Sequence, residues 1–299
     1  MKSIKRFYHR LKNFGFEYFP GEDLESLRSK INLYFRIFPS KGKTFSRELD
    51  FLNTTNRKSF KFCYILPYEF VTEYENRNVE VLKDDNSGLF YVMHNGRKLF
   101  YSRDYSRIEV VRYAYNNICI EQDERSPHRY LSEGFDVAEG DTVLDIGAAE
   151  GNFSLDVIEK AGRVYIFETD ENWIEALKLT FEPWKDKVRI INKFVSNVDN
   201  EKCITLEKML GDEKIDFIKM DVEGAEVEIL ESSKKILDSS NDLKLAVCTY
   251  HTSKDKDTIE EILTKCNYVC ETTPGYMLFI FSVLTPPYFR KVLLRAGKK

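Results

Sequence analysis

The clearest pattern along the chain begins at residue 142, where short apolar runs alternate with segments that repeat apolar residues at helical spacing. The runs predict five β-strands: TVLDI (142–146), RVYIFE (163–168), VRIIN (188–192), IDFIKMD (215–221) and LKLAVCTY (243–250). The other segments predict amphipathic helices, in GNFSLDVIEKA, ENWIEALKLTF, GAEVEILESSKKIL and DKDTIEEILTKC. Strands that alternate with helices are typical of a parallel sheet built from βαβ units.

Two further apolar runs follow, YVCETT (268–273) and YMLFIFSVL (276–284), and only a Pro-Gly turn separates them. So short a connection predicts antiparallel neighbours, because parallel strands need a long crossover. We therefore expect an α/β sheet of seven strands that is mostly parallel and becomes antiparallel at its end. It differs from the sheet of nicotinamide-binding Rossmann domains, whose strands are all parallel.

The first 125 or so residues carry a different pattern. DLESLRSKINLYFRIF predicts an amphipathic helix, and VEVLKDDNSGLFYVMHNGRKLFYS predicts three strands joined by an NSG turn and an HNG turn. We therefore expect a small α+β accessory region at 1–125, the α/β domain at 126–285 and a basic tail at 286–299. The accessory region is expected to cover one side of the active-site mouth or to pair with a partner subunit, as in a homodimer.

Composition narrows the classes of function. With 42% hydrophobic and 31% charged residues among 299, the chain has enough apolar material for a folded core. The net charge of -4 argues against a nucleic-acid partner. Six scattered cysteines without a CxxC pair predict reduced thiols in a cytoplasmic protein, not disulfides or a zinc site.

No segment predicts a transmembrane helix. The longest apolar run, YMLFIFSVL, reaches about half of the ~20 residues that a helical span needs. The stretches MKSIKRFYHRLK and FRKVLLRAGKK are basic and contain no acid, so they could rest weakly on an anionic membrane surface. Solvated chain ends are the simpler interpretation.

The loop after the first strand of the sheet, DIGAAEGNFS, is typical of a cofactor-binding turn. Glycines let the backbone approach a ligand closely, and the following helix begins with free N–H groups. The spacing is GxxxG and not the GxGxxG of dinucleotide sites. Its acids would repel a phosphate but suit the ammonium and sulfonium groups of S-adenosylmethionine. We therefore predict a site for this methyl donor that includes Asp145, Gly147, Ala148, Glu150 and Gly151.

Glu168 stands at the end of the second strand, where an acid can accept hydrogen bonds from both ribose hydroxyls. Asp145 and Glu168 could instead be helix N-caps. Two acids at two strand ends in this topology favour the cofactor interpretation. For the adenine, the stretch FVSN after the third strand offers Val195, Ser196 and Asn197 by position alone.

A charged cluster, KMDVEGAE (219–226), follows the fourth strand. Ligands of open α/β sheets bind outside the carboxyl ends of the strands, so Asp221 and Glu223 are expected in the reaction site. Alternatively, Asp221 caps the helix that starts at Gly224, and the other acids stabilise its positive end. Capping does not explain Lys219, which lies in a strand covered on both sides and needs a partner such as Asp221 or a substrate oxygen.

The fifth strand ends in TYH, which brings His251 to the same edge of the sheet. An imidazole there could take a hydroxyl proton near neutral pH. Alternatively, Asp221, Glu223 and His251 could hold one divalent cation that lowers the pKa of the hydroxyl. We rank metal-free base catalysis first, with Asp221, His251, Glu223 and Lys219 as candidate catalytic residues.

Six motifs between about 125 and 255 together resemble the FkbM-type methyltransferases: SPHRYL, DIGAAEGNFSL, FETDENW, ITLEKML, IDFIKMDVEGAE and TYH. The resemblance implies a class I methyltransferase sheet and an enzyme that uses S-adenosylmethionine, typically on a hydroxyl of a sugar, polyketide or similar metabolite. Thr169 stands where relatives often have proline after the ribose acid, and it is included among the cofactor-site residues. His128 and Tyr130 of SPHRY are expected to touch the methionine end of the cofactor, with structural packing as the alternative for His128.

The leading hypothesis is therefore an S-adenosylmethionine-dependent O-methyltransferase of a carbohydrate, in bacterial surface-polysaccharide or secondary-metabolite assembly. One alternative is a noncatalytic binder of an adenosyl ligand that scaffolds a glycan complex. Another is a nicotinamide-dependent dehydrogenase, although the chain lacks the glycine fingerprint of that class.

Overall fold

The computed structural model describes residues 15–54, 62–239 and 241–298, and these fall into two compact units. The larger unit contains Arg77–Thr273 and the segment that begins at Leu293. The smaller unit contains the described residues up to Asn76 together with Pro274–Val292. Within the described ranges, no helix is both long and apolar enough to cross a membrane.

The larger unit begins with a small antiparallel sheet of three strands, β1 (Leu82–Lys83), β2 (Phe90–His94) and β3 (Arg97–Phe100). Asn95 and Gly96 join β2 to β3 with φ angles of 50° and 80°, the left-handed backbone that a tight hairpin turn requires. The pattern of the HNG segment therefore correctly predicts this hairpin.

The main sheet has seven strands, which confirms the predicted α/β class and strand number. Its members in chain order are β4 (Thr142–Ile146), β5 (Arg163–Phe167), β6 (Val188–Ile191), β9 (Phe217–Met220), β10 (Lys244–Cys248), β11 (Val269–Thr272) and β12 (Leu293–Gly297). Their spatial order is β11-β12-β10-β9-β4-β5-β6. Six of these strands run in the same direction, and β12 runs in the opposite direction between β10 and β11. The two-residue strands β7 (Phe194–Val195) and β8 (Cys203–Ile204) pair with each other.

Helices connect the strands, and the ends of several are fixed by side-chain caps. The Asp170 carboxylate, for example, accepts a hydrogen bond from the Asn172 N–H at the start of its helix. The described α-helices are α1 (Leu24–Ile37), α2 (Pro39–Gly42), α3 (Ser46–Thr54), α4 (Phe62–Ile65), α5 (Ile108–Glu121), α6 (Asn152–Val157), α7 (Glu171–Phe181), α8 (Leu206–Leu210), α9 (Glu226–Ser232), α10 (Lys234–Ser239) and α11 (Asp255–Lys265). Short 3₁₀ turns lie at Lys43–Phe45, Glu69–Tyr74 and Glu182–Trp184.

The central strands are buried on both faces, as in other parallel sheets covered by helices. Every residue of β9 is buried, including the charged Lys219. Leu245 and Val247 of β10 are likewise inaccessible and belong to the core that the sheet forms with the helices. Burial on this scale fixes the strand ends, and therefore the site residues that follow them, in defined positions.

The assignment of YMLFIFSVL as a strand of the main sheet is wrong. The run lies in the smaller unit, where the Leu278 N–H donates to the Ile65 carbonyl at 2.9 Å and Met277 pairs with Arg290. The smaller unit buries its own aromatic cluster, with Phe289 stacked on Phe45 at 4.9 Å between ring centres. An apolar core there explains why so hydrophobic a run lies outside the sheet.

The seventh strand instead comes from the segment predicted to be a basic tail, 286–299. Leu293 and Leu294 of β12 are fully buried between β10 and β11. The Arg295 guanidinium donates to the carbonyl oxygens of Arg129 and Tyr130, at 2.7 and 3.1 Å. Basic side chains with such partners are compatible with a core strand, which the composition of the segment did not indicate.

The boundary predicted at 125 also differs from the division in the structure, because the β1–β3 sheet belongs to the larger unit. Two polar contacts show why. The Phe100 N–H donates to Thr180 Oγ1 on α7 at 3.0 Å, and His94 Nε2 lies 2.9 Å from Asp156 Oδ1 on α6. The hairpin is therefore a covering layer of the α/β domain.

Candidate active site

A cleft of about 420 Å³ lies beyond the carboxyl ends of β4, β5 and β9, within the size range of small-molecule sites. Its apolar wall includes Phe167, Trp173 and Val222, and its acidic groups include Glu168 and Asp221. The cleft therefore offers a ligand both an apolar wall and acidic groups.

Only some of the predicted site residues line this cleft. Those that do are Gly147, Glu168, Thr169, Val195, Asp221 and Glu223. The residues that lie outside the lining are Asp145, Ala148, Glu150, Gly151, Ser196, Asn197, His128, Tyr130, Lys219 and His251. The cofactor and acceptor contacts assigned to both groups stay predictions.

The two glycines of the first loop are required by protein packing. A Cβ on Gly147, whose φ is +79°, would stand 1.8 Å from the Asp221 carbonyl oxygen. A Cβ on Gly151, also at φ +79°, would stand 2.6 Å from Leu177 of α7. The loop therefore passes against the end of β9 and against α7 at distances that no side chain permits.

Glu168 holds two loops together. Its carboxylate accepts hydrogen bonds from the backbone N–H groups of Ala149, Thr169 and Asp170, at 2.7, 2.6 and 2.8 Å. Ala149 belongs to the loop after β4, whereas Thr169 and Asp170 follow β5. The acid expected to bind the ribose thus also organises the wall of the cleft.

The wall expected to contact the adenine differs in detail from the sequence prediction. Lys193 and Phe194 line the cleft beside Val195. Ser196 lies outside the lining, and its hydroxyl donates to Glu228 at 2.9 Å. The sequence analysis did not assign Phe194 to the site, although this first residue of β7 is 56% exposed, and an exposed aromatic ring is the kind of surface that a flat ligand covers.

A buried ion pair lies behind the cleft. Lys219 Nζ stands 3.0 Å from Asp145 Oδ1, and Ser154 donates to the other oxygen of Asp145 at 2.7 Å. Lys219 also donates to the Gly147 carbonyl and faces the Tyr130 ring at 5.3 Å. The partner of the buried lysine is therefore Asp145, where the sequence suggested Asp221 or a substrate oxygen.

The charge state of Lys219 follows from these neighbours. Burial alone would lower its pKa, but the carboxylates of Asp145 and Asp221 raise the pKa above the usual lysine value. Lys219 is therefore an ammonium at neutral pH, and its charge acts on both acids.

Asp221 is the acid on which polar groups converge. Tyr250 donates to Oδ1 at 2.9 Å, and Tyr130 donates to Oδ2 at 3.2 Å. Its own N–H donates to the Ile146 carbonyl at 3.0 Å, which fixes the strand end. Burial would raise the pKa of Asp221, but the charge of Lys219 lowers it, so the group is a carboxylate at neutral pH.

His251 lies between carboxylates and is 6% exposed. Its Nδ1 stands 3.0 Å from Glu226 Oε1, and its Nε2 stands 3.5 Å from Asp221 Oδ1 and 3.7 Å from Glu223 Oε2. Burial would lower the pKa of His251, but the adjacent carboxylate of Glu226 raises it above the ordinary histidine value. The sequence analysis assigned Glu226 only to the helix end and missed this contact.

His128 and Tyr130 support Asp221 from within the protein. Burial lowers the pKa of His128 to about 4, so its imidazole is neutral, and its Nε2 lies 3.3 Å from the Tyr250 hydroxyl. The structural alternative for His128 thus has observed contacts. A direct contact of either residue with the cofactor stays a prediction.

Two acids near the site have unusually high pKa values. Burial raises the pKa of Glu150 to about 7 and that of Glu121, at the end of α5, to about 8. A neighbouring carboxylate raises each pKa further: Glu168 acts on Glu150, and Asp221 acts on Glu121. A ligand with an ammonium or sulfonium group would relieve this repulsion, so the donor set fits S-adenosylmethionine.

Ligand atoms for a metal ion come together in two places among the described residues: at Asp221, Glu226 and His251, and at His128, Asp221 and Cys248. The predicted set used Glu223 in place of Glu226. The Glu223 side chain is 85% exposed and its φ is +56°. A divalent cation at this site stays a prediction.

Comparisons with known proteins identify the family of the chain. A family model described as a methyltransferase FkbM domain matches residues 48–270, well over half of the chain. Over 80 residues the chain is 36% identical to a probable ribosomal RNA small subunit methyltransferase A of Methanococcoides burtonii, which covers 27% of this chain and 29% of that protein. The chain thus spans less than a third of that relative.

Solved structures with a similar fold are distant in sequence. A methyltransferase FkbM from Methylobacillus flagellatus is 18% identical with a TM-score of 0.44, over 66% of this chain and 56% of that one. A putative transferase from Pyrococcus horikoshii is 17% identical with a TM-score of 0.43, over 71% of this chain and 72% of that one.

Proposed function

The chain belongs to the FkbM methyltransferase family, and on that premise we propose that it methylates a hydroxyl group of a sugar, glycan or secondary metabolite. Family membership confirms the resemblance in the sequence motifs and makes the protein an S-adenosylmethionine-dependent methyltransferase. The acceptor class and the residues that act on the acceptor are the parts that we propose.

The proposal that a hydroxyl is methylated rests on the surroundings of Asp221. Its carboxylate lines the cleft, is ionised, and is held by the hydroxyls of Tyr130 and Tyr250. When bound, S-adenosylmethionine supplies a methyl group on a positively charged sulfur. An acceptor hydroxyl that donates a hydrogen bond to Asp221 is oriented for in-line attack, and orientation supplies a large part of such catalysis.

The acceptor hydroxyl must give up its proton to a base. The proton leaves the hydroxyl oxygen for the Asp221–His251 pair and comes to rest on His251 Nε2, which lies 3.5 Å from Asp221. Carboxylates on both sides of the ring stabilise the imidazolium that forms. Lys219 keeps Asp221 ionised from behind the cleft, and Glu223 at the exposed rim is available to the acceptor.

The acceptor class rests on charge and on the family. A net charge of -4 favours a neutral or small metabolite over RNA, whose phosphates bind basic surfaces. Because one relative is a probable ribosomal RNA methyltransferase, the experiment must also include RNA as a possible acceptor. Family membership speaks against the scaffold and dehydrogenase alternatives. A role in polysaccharide biosynthesis, a cytoplasmic location, weak membrane contact and a homodimer stay predictions.

The test is to incubate the full chain with methyl-labelled S-adenosylmethionine and separate panels of nucleotide sugars, glycans, polyketides and small-subunit RNA. We expect label on a hydroxyl of a carbohydrate or metabolite. Asp221→Asn should lower turnover by about a hundredfold or more, with donor affinity nearly unchanged by calorimetry. Asp242→Asn, an exposed acid before β10, is the matched control and should keep full turnover.

Label in RNA alone would overturn the acceptor class. Full turnover in Asp221→Asn would overturn the assignment of the reaction to the end of β9. Loss of turnover with EDTA, restored by magnesium or manganese, would replace the metal-free proton transfer with a metal-assisted one.

A further inference from the structure

Glu226 is a buried carboxylate whose surroundings call for an explanation. Glu226 is 1% exposed. It is the first residue of α9 and follows the exposed Glu223 by only three residues. Burial of an ionised carboxylate costs several kcal/mol unless hydrogen bonds compensate it. The structure must therefore supply Glu226 with partners.

Two nitrogen atoms approach the same oxygen of Glu226. The Val222 N–H donates to Oε1 at 2.9 Å, and His251 Nδ1 lies 3.0 Å from that oxygen. The backbone contact holds the carboxylate in place, because Val222 belongs to the loop that follows β9. A fixed acid at this distance fixes the imidazole in turn.

The two ring nitrogens of His251 have different surroundings. Nδ1 makes the closest contact of the ring with an acid, 3.0 Å from Glu226 Oε1, whereas Nε2 lies 3.5 Å from Asp221 and 3.7 Å from Glu223. The closer acid favours the tautomer of the neutral ring that carries its proton on Nδ1. The charged or titratable groups that face the ring are Asp221 and Glu223 from the loop after β9, Glu226 at the start of α9, and His128 from the segment before β4.

We propose that Glu226 is a positioning residue that fixes the tautomer of His251, with the proton on Nδ1 and the Nε2 lone pair directed at Asp221. The inference rests on the proposed function, in which Nε2 receives the acceptor proton. Without the acid, the ring can carry its proton on Nε2, and the lone pair then points away from Asp221. A carboxylate that orients a catalytic imidazole acts in this way in other enzymes.

The tautomer can be measured without any acceptor. The chain has four histidines, so selective ¹⁵N labelling of imidazoles gives a spectrum in which His251→Asn identifies the signal of His251. In the full-length wild-type protein at high pH, we expect the neutral His251 ring to carry its proton on Nδ1. In Glu226→Gln we expect a mixture of the two tautomers.

Turnover supplies the second readout. Glu226→Gln should lower kcat by about 10- to 100-fold and leave the KM for S-adenosylmethionine unchanged, because the residue acts through His251. Glu231→Gln is the matched control, since this exposed acid lies on the same helix α9. It should change neither the tautomer nor kcat.

A wild-type ring protonated on Nε2 would overturn the inference, and this result does not depend on the Glu226→Gln variant. So would a Glu226→Gln protein that matches Glu231→Gln in both readouts. The proposed function fails in a different way: if the tautomer depends on Glu226 but His251→Asn keeps full turnover, the proton route is wrong and the tautomer assignment stands.

Discussion

Lys219 and Asp145 face each other across the neighbouring strands β9 and β4, with Nζ 3.0 Å from Oδ1 and both side chains almost fully buried. The pair joins β4, which leads into the loop expected to hold the cofactor, to β9, which leads to Asp221. A buried pair of this kind contributes little net stability when intact but is costly to break, because the remaining charge is left without a partner.

Breaking the pair on one side should therefore destabilise the protein strongly. Lys219→Met leaves Asp145 charged and buried, and we expect the free energy of unfolding to fall by about 3 to 5 kcal/mol. The double variant Lys219→Met with Asp145→Asn should recover part of this loss. Urea unfolding measures both. Lys214→Met, which removes a surface pair with Asp216, is the control and should cost about 1 kcal/mol or less. Equal losses in the two lysine variants would contradict the prediction.

Glu168 should matter to both the cofactor and the loops. Glu168→Ala removes the acceptor of three backbone N–H groups together with the expected ribose contacts. We expect donor affinity to fall at least about tenfold by calorimetry, the scale of one charged hydrogen bond. Glu171→Ala, an exposed acid at the start of α7, should leave affinity unchanged. Wild-type affinity in a folded Glu168→Ala protein would remove Glu168 from the cofactor site.

Substitution of Gly147 can separate the cost of a steric contact from the cost of a left-handed backbone conformation. Gly147→Ala places a Cβ 1.8 Å from the Asp221 carbonyl oxygen, whereas Gly134→Ala meets nothing within 4 Å at nearly the same φ of +77°. Gly134→Ala should therefore cost about 1 kcal/mol from its backbone alone. Gly147→Ala should lower the melting temperature much further and abolish donor binding. Similar melting temperatures for the two variants would show that the contact is relieved by a small shift.

Glu121 should make stability depend on pH in a defined window. Its pKa in the folded protein is about 8, far above the ordinary value of 4.5. Between these values the folded protein binds the proton more tightly than the unfolded chain, so stability falls as pH rises from about 4.5 to 8. Glu121→Gln should add about 1 to 3 kcal/mol at pH ~9 and little at pH ~4, by urea unfolding.

The neighbouring Glu124→Gln is the control for this prediction, because that side chain is 89% exposed. It should leave the pH dependence as in the wild type. A Glu121→Gln protein with the same stability as the wild type at both pH values would mean that the folded protein does not resist ionisation of this acid.

Much of the sheet could be predicted from the sequence because apolar periodicity is a local property. The ends of β5 and β9, and with them Glu168 and Asp221, follow from the length of each apolar run. The seventh strand was missed because YMLFIFSVL is more hydrophobic than LLRAG, and local hydrophobicity does not say which core a run will join.

The partners of the buried charges could not be predicted in the same way. Lys219 meets Asp145 because the two residues are opposite each other in the register of β4 and β9, which only the folded sheet defines. Glu226 meets His251 because the first turn of α9 lies beside the end of β10. The sequence places these groups at one edge of the sheet, and packing alone decides which pairs form.

The position of β12 sets an order of events during protein synthesis. The strand lies between β10 and β11 although it follows both along the chain. When Thr272 has been translated, the neighbours of β12 exist but have no strand between them, and about 25 further residues must follow, which takes roughly one to five seconds. Until β12 is in place, the facing edges of β10 and β11 have unpaired backbone groups. The sheet therefore closes only after residue 297 has left the ribosome.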